Sequence, residues 1–310
     1  MPQSPDYQYE NPSTGLEYDP DDSKGDAVQE HGEADQGPIA PLGQVLAVAN
    51  QKGGVGKTTT AVSVSAWLAI EGYKVLLVDL DPQANATTGL GIDPHRTSGN
   101  IYQILVEDVP MLEAIESTAL KGLYCVPSTI DLAGAEIELV PALSREMKLK
   151  HALVPVVPDF DIILIDCPPS LGLLSINALA AAARLLVPIQ CEYYALEGLG
   201  QLLRNVRLIQ TNLNPTLDLA GIVLTMFDSR TRLAEQVANE VRNHFPGMVL
   251  DPPVPRSVRL SEAPSYGQPI ALYDRDSKGS VAYREIALAL TKRLEFPPGD
   301  NLNANQEVEG

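Results

Sequence analysis

A glycine-rich turn directly after an apolar run constrains this chain more than any other feature. The run Val45 to Ala49 is followed by Gln51-Lys-Gly-Gly-Val-Gly-Lys-Thr-Thr-Thr60. When such a turn joins a buried strand to a helix, several backbone N–H groups point into one hollow, where the positive end of the helix dipole also favours phosphate. The segment therefore predicts an α/β fold with a nucleotide site at this turn.

The turn is a variant of the usual phosphate loop. The strict pattern G-x-x-x-x-G-K-[ST] needs a glycine where Gln51 stands. Lys57 stands where the lysine of a phosphate loop reaches the β- and γ-phosphates. Thr58 stands where the hydroxyl of such a loop binds Mg²⁺. A flexible turn without a ligand is the alternative, and the strand–turn–helix context argues against it. We expect the nucleotide to contact the whole loop: Lys52, Gly53, Gly54, Val55, Gly56, Lys57, Thr58 and Thr59.

Short apolar runs alternate along the chain with amphipathic segments of helical length. This alternation predicts βαβ units, and hence a doubly wound, mostly parallel sheet with helices on both faces. The predicted strands are Val45 to Ala49, Lys74 to Asp79, Tyr124 to Pro127, Ile162 to Asp166, Leu185 to Gln190, Ala220 to Thr225 and Val249 to Leu250. The predicted helices are 57–71, 100–106, 131–139, 145–154, 172–182, 195–210, 231–244 and 279–294.

Two of these strands end in carboxylates. The strand from Lys74 runs into Asp79-Leu-Asp81, and the strand from Ile162 ends at Asp166. Ligands of open parallel sheets bind at the carboxyl ends of the strands. Asp166 is therefore placed to hold Mg²⁺, and Asp81 to orient or deprotonate an attacking water. The alternative for each is an ordinary turn or helix-capping residue.

Charge divides the chain into three parts. The formal net charge is −18, and ten acidic residues face a single lysine within residues 1–40. We expect a disordered acidic arm at 1–43, a nucleotide-binding domain at 44–294, and a disordered acidic tail at 295–310. The tails hold most of the negative charge, so the domain itself argues only weakly against a local basic patch for nucleic acid.

Cysteine usage and hydropathy narrow the function classes. The three cysteines, Cys125, Cys167 and Cys191, form no close pair, and the histidines are scattered. This pattern favours buried thiols in a reducing cytosol over a disulfide framework or a metal cluster. We find no signal-peptide-like segment, and the best apolar run, Ala178 to Ile189, is short and contains Arg184. We therefore expect a soluble, cytoplasmic protein.

Four motifs together resemble the ParA/Soj-type partition ATPases of the deviant Walker A (MinD/ParA) group. They are the loop from Lys52, Val78-Asp-Leu-Asp-Pro-Gln83, Ile165-Asp-Cys-Pro-Pro-Ser170, and Val254-Pro-Arg-Ser-Val-Arg-Leu-Ser-Glu-Ala-Pro-Ser265 with Tyr266-Gly-Gln-Pro269. The resemblance spans about Val45 to Leu294 and is most specific in the last motif. It implies a P-loop NTPase fold of the deviant Walker A type, with ATP and Mg²⁺ as ligands.

The resemblance also implies roles for individual residues. Lys52 matches the signature lysine that reaches the partner subunit's nucleotide, Lys57 the P-loop lysine, and Asp81 the acid that positions the hydrolytic water. These three are the expected catalytic residues, and Thr58 and Asp166 the expected metal ligands. Two lysines in one loop repel each other unless enough negative charge lies between them, which favours a state with bound triphosphate. A lysine that completes the site in trans would couple ATP binding to a sandwich dimer. The alternative is that Lys52 only adds a solvated charge to its own subunit's site.

Family members of this type bind DNA without sequence preference, and Arg230 and Arg259 resemble the positions implicated. Arg232, Arg242 and Arg256 are further candidates on the same segments. Pro255 and Arg256 also resemble the region that lines the adenine pocket. Phosphate-directed arginines give salt-dependent binding without base readout. The alternative is that these are solvated surface arginines, some of them paired with Glu235, Glu240 or Glu262.

The implied function is an ATP-dependent switch for chromosome or plasmid segregation. In this scheme an ATP-bound homodimer holds non-specific double-stranded DNA on the nucleoid, and slow hydrolysis, stimulated by a ParB/Spo0J-type centromere-binding partner, releases it. A MinD-like positioning ATPase would need a basic amphipathic C-terminal helix at the membrane, whereas this chain ends in acidic residues. A reductase like the nitrogenase iron protein would need paired cysteines to hold its cluster, and the cysteines of this chain do not supply that arrangement. A small-molecule kinase or synthetase of the same superfamily remains open, because fold does not fix function.

Overall fold

The computed structural model describes residues 45–295. The expected arm at 1–43 lies outside them, as does the tail at 295–310 apart from Glu295. The strands are β1 (Val45–Val48), β2 (Val75–Asp79), β3 (Glu116–Ser117), β4 (Leu123–Val126), β5 (Ile162–Asp166), β6 (Arg184–Gln190), β7 (Asp218–Thr225) and β8 (Val249–Leu250). The helices are α1 (Lys57–Ile70), α2 (Asn85–Gly89), α3 (Ile101–Val106), α4 (Leu132–Glu138), α5 (Lys148–Leu153), α6 (Leu173–Ala181), α7 (Ala195–Asn212), α8 (Arg232–His244), α9 (Val258–Glu262), α10 (Ile270–Tyr273) and α11 (Lys278–Arg293).

The described strands form one eight-stranded sheet in the order β3-β4-β2-β5-β1-β6-β7-β8. All neighbours pair in parallel except β3, which runs antiparallel to β4 at one edge. β5 lies between β1 and β2, and Asp166 is in register with both Val48 and Asp79. The carboxyl ends of the three central strands therefore meet at one point of the sheet edge.

Alternate strand residues face two separate cores, as expected for a sheet covered on both faces. Val45 and Ala47 pack with α3 to α8, whereas Leu46 and Val48 pack on the opposite face. On that second face α1 contacts α11, and the Thr60 and Tyr283 hydroxyls share a buried hydrogen bond of 3.0 Å. The doubly wound, mostly parallel α/β fold predicted from the sequence is confirmed. Within residues 45–295, none of the helices has the length and apolar character needed to span a bilayer.

Each predicted strand is present, with ends shifted by at most two residues. The antiparallel β3 and the short helices α2, α9 and α10 were not predicted, because segments of two to five residues carry no readable periodicity. The helix predicted at 145–154 was wrong in its first turn, which is a 3₁₀ turn at Arg145–Met147 before α5. Ser144, which precedes that turn, has a left-handed backbone (φ 51°) that an α-helix cannot continue through.

Candidate functional site

The loop between β1 and α1 is fixed by hydrogen bonds to two other strands, β6 and β7. The Asn50 amide donates to the Pro188 carbonyl at 2.8 Å and accepts from the Lys52 N–H at 3.0 Å. The Thr225 hydroxyl, at the end of β7, donates to the Val55 carbonyl at 2.8 Å. Sequence reasoning missed both anchors. Asn50 adjoins the predicted loop, but its partner lies in β6, which only the strand order reveals.

Glycine is required where the loop enters α1. Gly54 and Gly56 have φ of 73° and 85°, a left-handed conformation that costs residues with a Cβ. Gly56 is the N-cap residue of α1, and no side chain caps that helix end. The first-turn N–H groups are thus available to an anion, which the helix dipole also favours.

Lys57 is buried beneath the loop. Its ammonium donates to the Lys52 carbonyl at 3.2 Å, and Lys57 as a whole is only 6% exposed. Burial lowers the pKa of Lys57, and the charge of Asp166 opposes that shift. Among residues 45–295 the one hydrogen-bond partner of this buried ammonium is a loop carbonyl, so the ammonium is well placed to pair with a phosphate instead.

Asp166 is wholly buried, and neither carboxylate oxygen has a hydrogen-bond partner of good geometry within residues 45–295. Burial and the neighbouring Asp79 raise its pKa well above the ordinary carboxyl range, while the Thr58 hydroxyl opposes the rise. An uncompensated buried carboxylate is costly unless a cation joins it. Two free carboxylate oxygens beside a threonine hydroxyl are hard oxygen ligands, and this donor set fits Mg²⁺.

Asp79 and Asp81 follow one another along the end of β2 but have different roles in the local structure. Asp79 is fully buried, and its carboxylate accepts hydrogen bonds from Thr87 and from the Asp81 N–H. Burial raises the pKa of Asp79 to about 6, and the Thr87 hydrogen bonds oppose this. Asp81 is 7% exposed, and one of its oxygens accepts from the Gln83 N–H at 3.0 Å. Sequence reasoning assigned a role to Asp81 but none to Asp79 or Thr87.

Lys52 lies at the mouth of the loop with its side chain about half exposed. Its ammonium forms an ion pair with Glu192 at 2.8 Å, in the segment that follows β6. Glu192 also accepts from the Gln190 amide. Within this subunit Lys52 is therefore held beside its own loop. That it reaches a partner's nucleotide stays a prediction. Glu192 gave no signal in the sequence, since its link to Lys52 crosses 140 residues.

A cavity of about 400 Å³ extends from the loop toward the segment after β8. Thr58 and Thr59 are among its lining residues, as are Pro255 and Arg256. The Arg256 N–H donates to the Phe227 carbonyl at 3.1 Å, which pins this segment to the chain beyond β7. The phosphate residues and the predicted adenine-side residues thus border one continuous space.

The two arginines predicted to bind DNA are exposed and already paired with carboxylates. Arg230 binds Asp228 through two nitrogens at 2.9 and 2.7 Å, and these hydrogen bonds lower the pKa of Asp228 to about 2. Arg259 contacts Glu262 at 3.2 Å and Asp274 at 3.3 Å. The pairing of Arg259 with Glu262 was expected under the alternative that these are ordinary surface arginines. Arg232 and Arg256 are exposed, and neither makes an ion pair among the described residues, whereas Arg242 pairs with Asp251.

A family model described as an AAA domain matches residues 43–219. The chain is also 54% identical, over 246 residues, to the sporulation initiation inhibitor protein Soj of Bacillus subtilis, an alignment that covers 79% of this chain and 97% of the relative. The chain belongs to the ParA/Soj family of partitioning ATPases.

Other ParA/Soj-type relatives agree with this assignment. The chromosome partitioning protein ParA of Myxococcus xanthus is 53% identical over 254 residues, covering 82% of this chain and 90% of that protein. Among solved structures, cobyrinic acid a,c-diamide synthase from Mycobacterium smegmatis, with bound ATP analog and magnesium, is 44% identical with a TM-score of 0.72, covering 81% of this chain and 96% of that one. The protein is thus a ParA/Soj-type P-loop ATPase of DNA segregation.

Proposed function

We propose that this ParA/Soj-type ATPase is a molecular switch that binds ATP with Mg²⁺ and forms a dimer with the nucleotides at the interface. The dimer binds double-stranded DNA without sequence preference and releases it after ATP hydrolysis. The observation that carries the proposal is the placement of the two loop lysines. Lys57 is buried under the phosphate loop, whereas Lys52 lies at the entrance of the loop and forms a partly exposed ion pair with Glu192. One cation thus belongs to the subunit's own site, and the other is available to a neighbour.

The residues at the sheet edge support a hydrolytic role. Lys57 and the loop N–H groups would bind the β- and γ-phosphates, and Thr58 with Asp166 would hold Mg²⁺. When bound, Mg²⁺ neutralises charge on the phosphates. Asp81 would orient a water whose oxygen attacks the γ-phosphorus, while the bond to the β–γ bridging oxygen breaks to give ADP and phosphate.

Dimerisation follows from a competition for the Lys52 ammonium. In the single subunit the exposed Glu192 carboxylate holds it, and an exposed pair of this kind contributes only about 0–1 kcal/mol. A triphosphate in a facing subunit offers more negative charge in a drier setting, where attraction is stronger. Loss of the γ-phosphate removes that advantage, so hydrolysis would favour separation of the dimer.

DNA binding would join the two arginine segments of each subunit into one larger surface in the dimer. Arg230 and Arg259 would exchange their local carboxylates for backbone phosphates. Arg232 and Arg256, which make no ion pair within residues 45–295, would assist them. Splitting the dimer halves the number of phosphate contacts and weakens binding steeply. A ParB-type partner would set the timing by stimulating hydrolysis, and the protein would act in the cytoplasm on the nucleoid.

The name of the Mycobacterium smegmatis relative points to a second candidate, ATP-dependent amidation of a corrinoid carboxylate. The two functions differ in what stimulates ATP turnover. A segregation switch responds to duplex DNA and a ParB-type protein, whereas a diamide synthase responds to cobyrinic acid with an ammonia donor.

The decisive experiment measures retention of the full chain on duplex DNA with ATP, ADP or no nucleotide, with light scattering for dimer formation. We expect retention and dimers with ATP only. Lys52→Ala should abolish both while nucleotide binding persists, and the exposed Lys121→Ala, at the far edge of the sheet before β4, should behave as wild type. A protein that stays monomeric and off DNA under saturating ATP and magnesium, or that turns over ATP only with cobyrinic acid, would overturn the proposal.

A further inference from the structure

The Asp79 carboxylate closes a clamp around the segment that carries Asp81. One oxygen accepts from the Asp81 N–H at 3.2 Å. The other accepts from the Thr87 N–H at 2.8 Å and from the Thr87 hydroxyl at 2.7 Å. A single buried side chain thus holds both ends of the segment from 81 to 87.

Thr87 extends the clamp to a second strand, β4. Its hydroxyl hydrogen is donated to Asp79, so its oxygen is free to accept, and the Ser128 N–H donates to it at 3.0 Å. Ser128 follows β4, and the adjacent Pro127 carbonyl accepts from the Ile101 N–H at 2.9 Å, where α3 begins. Asp79, Thr87 and Ser128 are all 0% exposed. The ends of β2 and β4 and helix α2 are therefore joined by one directional chain of hydrogen bonds.

The segment inside the clamp is not relaxed backbone. Ala84 has a left-handed φ of 52°, which residues with a Cβ rarely adopt without support from their surroundings. Its N–H bonds the Asp81 carbonyl at 2.9 Å, and the Gln83 N–H bonds the Asp81 carboxylate at 3.0 Å. The orientation of the Asp81 carboxylate therefore depends on the turn, and the turn depends on the clamp.

We propose that Thr87 is a positioning residue for ATP hydrolysis, whose hydroxyl holds the Asp81 turn in the geometry that orients the attacking water. Thr87 does not itself touch the nucleotide space, which its neighbours Asn85 and Thr88 line. It acts through Asp79 and Ser128. The inference rests on the proposed role of Asp81, and it adds the reason that Asp81 is held ready before the water arrives.

The test compares Thr87→Val, which keeps the shape but removes the hydroxyl, with Thr87→Ser, which restores it. Hydrolysis of saturating ATP is measured together with binding of a slowly hydrolysed analogue and dimer formation. We expect Thr87→Val to lower kcat by about 10- to 100-fold, the effect of a misplaced catalytic group, with KM for ATP and the dimer unchanged. Thr87→Ser should recover kcat to within about twofold. Thr291→Val, which removes a hydroxyl bonded within α11, is the matched control.

Full kcat in a folded Thr87→Val protein overturns the inference, as does an equal loss in Thr87→Ser. If Thr87→Val does not fold, Thr87→Ala takes its place with the same expectation and the same contradicting result. Asp81→Ala is measured alongside: unchanged hydrolysis there would remove the proposed role of Asp81, whereas a slow Asp81→Ala with a normal Thr87→Val would remove only the role of Thr87.

Discussion

Gly91 and Gly267 pack backbone against backbone. A Cβ on Gly91 would lie 2.8 Å from the Gly267 carbonyl oxygen, and a Cβ on Gly267 would lie 2.9 Å from the Gly91 Cα. Both residues also have left-handed φ angles, 78° and 62°. Gly91 follows α2, which the Asp79 clamp holds, and Gly267 follows the segment that carries Arg259. The contact therefore links the end of α2 to the end of the segment that carries Arg259.

Gly267→Ala should destabilise the protein through both strain and overlap. The left-handed backbone alone costs about 1 kcal/mol, and the clash should bring the loss to about 2–4 kcal/mol in urea unfolding. Gly247→Ala is the matched control, because Gly247 has φ of 73° but nothing within 4 Å of the added methyl. Equal losses for the two variants would mean that the close approach adds nothing.

Glu192→Gln should make the ATP-dependent dimer form more readily. The substitution removes the charge that holds Lys52 beside its own loop, which frees the ammonium for a facing triphosphate. Because the pair is exposed, the gain should be at most about fivefold in the protein concentration needed for dimerisation. Light scattering against protein concentration with a slowly hydrolysed analogue measures it. A weaker dimer would instead place Glu192 among the groups that stabilise the interface.

Asp166→Asn should stabilise the nucleotide-free, magnesium-free protein at alkaline pH. The pKa of Asp166 in the fold is raised well above its usual range, so the folded state binds the proton more tightly than the unfolded chain. Wild-type stability attributable to this group is therefore present at low pH, and it falls as pH rises from about 4, the unfolded pKa, through the folded pKa. Melting temperatures in a chelator should show the variant a few degrees higher at pH 8, with the gap closing toward pH 4.

The exposed Asp159→Asn is the control for that experiment and should follow wild type at every pH. If wild type and Asp166→Asn melt alike at pH 8, the buried carboxylate is compensated in solution.

Arg259→Glu should weaken binding to every duplex sequence alike and lower the slope of log affinity against log salt by about one per lost phosphate contact. The new carboxylate would also lie beside Glu262 and Asp274, which now hold the guanidinium, so repulsion adds to the loss. Filter binding across a salt series measures the slope. Arg207→Glu makes the same charge change on α7 and is the control. If its salt slope equals that of Arg259→Glu, a specific role for Arg259 is excluded.

Sequence reasoning proposed the glycine-rich loop, Asp81, Asp166 and the Pro255–Arg256 segment as site residues, because each belongs to a short contiguous motif at a strand end. In the structure, residues of the loop line the same cavity as Pro255 and Arg256. The motifs could not reveal the partners that hold these residues in place. Asn50 bonds Pro188 across 138 positions and Thr225 bonds Val55 across 170, so both contacts depend on a strand order that periodicity does not encode.

Thr87 was missed for a different reason. It lies in the five-residue helix α2, too short to produce a pattern, and its partners sit on β2 and after β4. The pairing of Lys52 with Glu192 likewise joins two exposed residues whose proximity follows only from the neighbouring positions of β1 and β6 in the sheet.

The Asn50 and Thr225 hydrogen bonds hold the phosphate loop through contacts within the protein itself. A loop held in this way loses little conformational freedom on binding, and it should contact the phosphates that ADP and ATP share about equally well. Discrimination between ATP and ADP would then come from groups outside the loop. In the proposed function these groups are Lys52 and Asp81, so substitutions there would change the rate of the ATPase cycle with little change in nucleotide affinity.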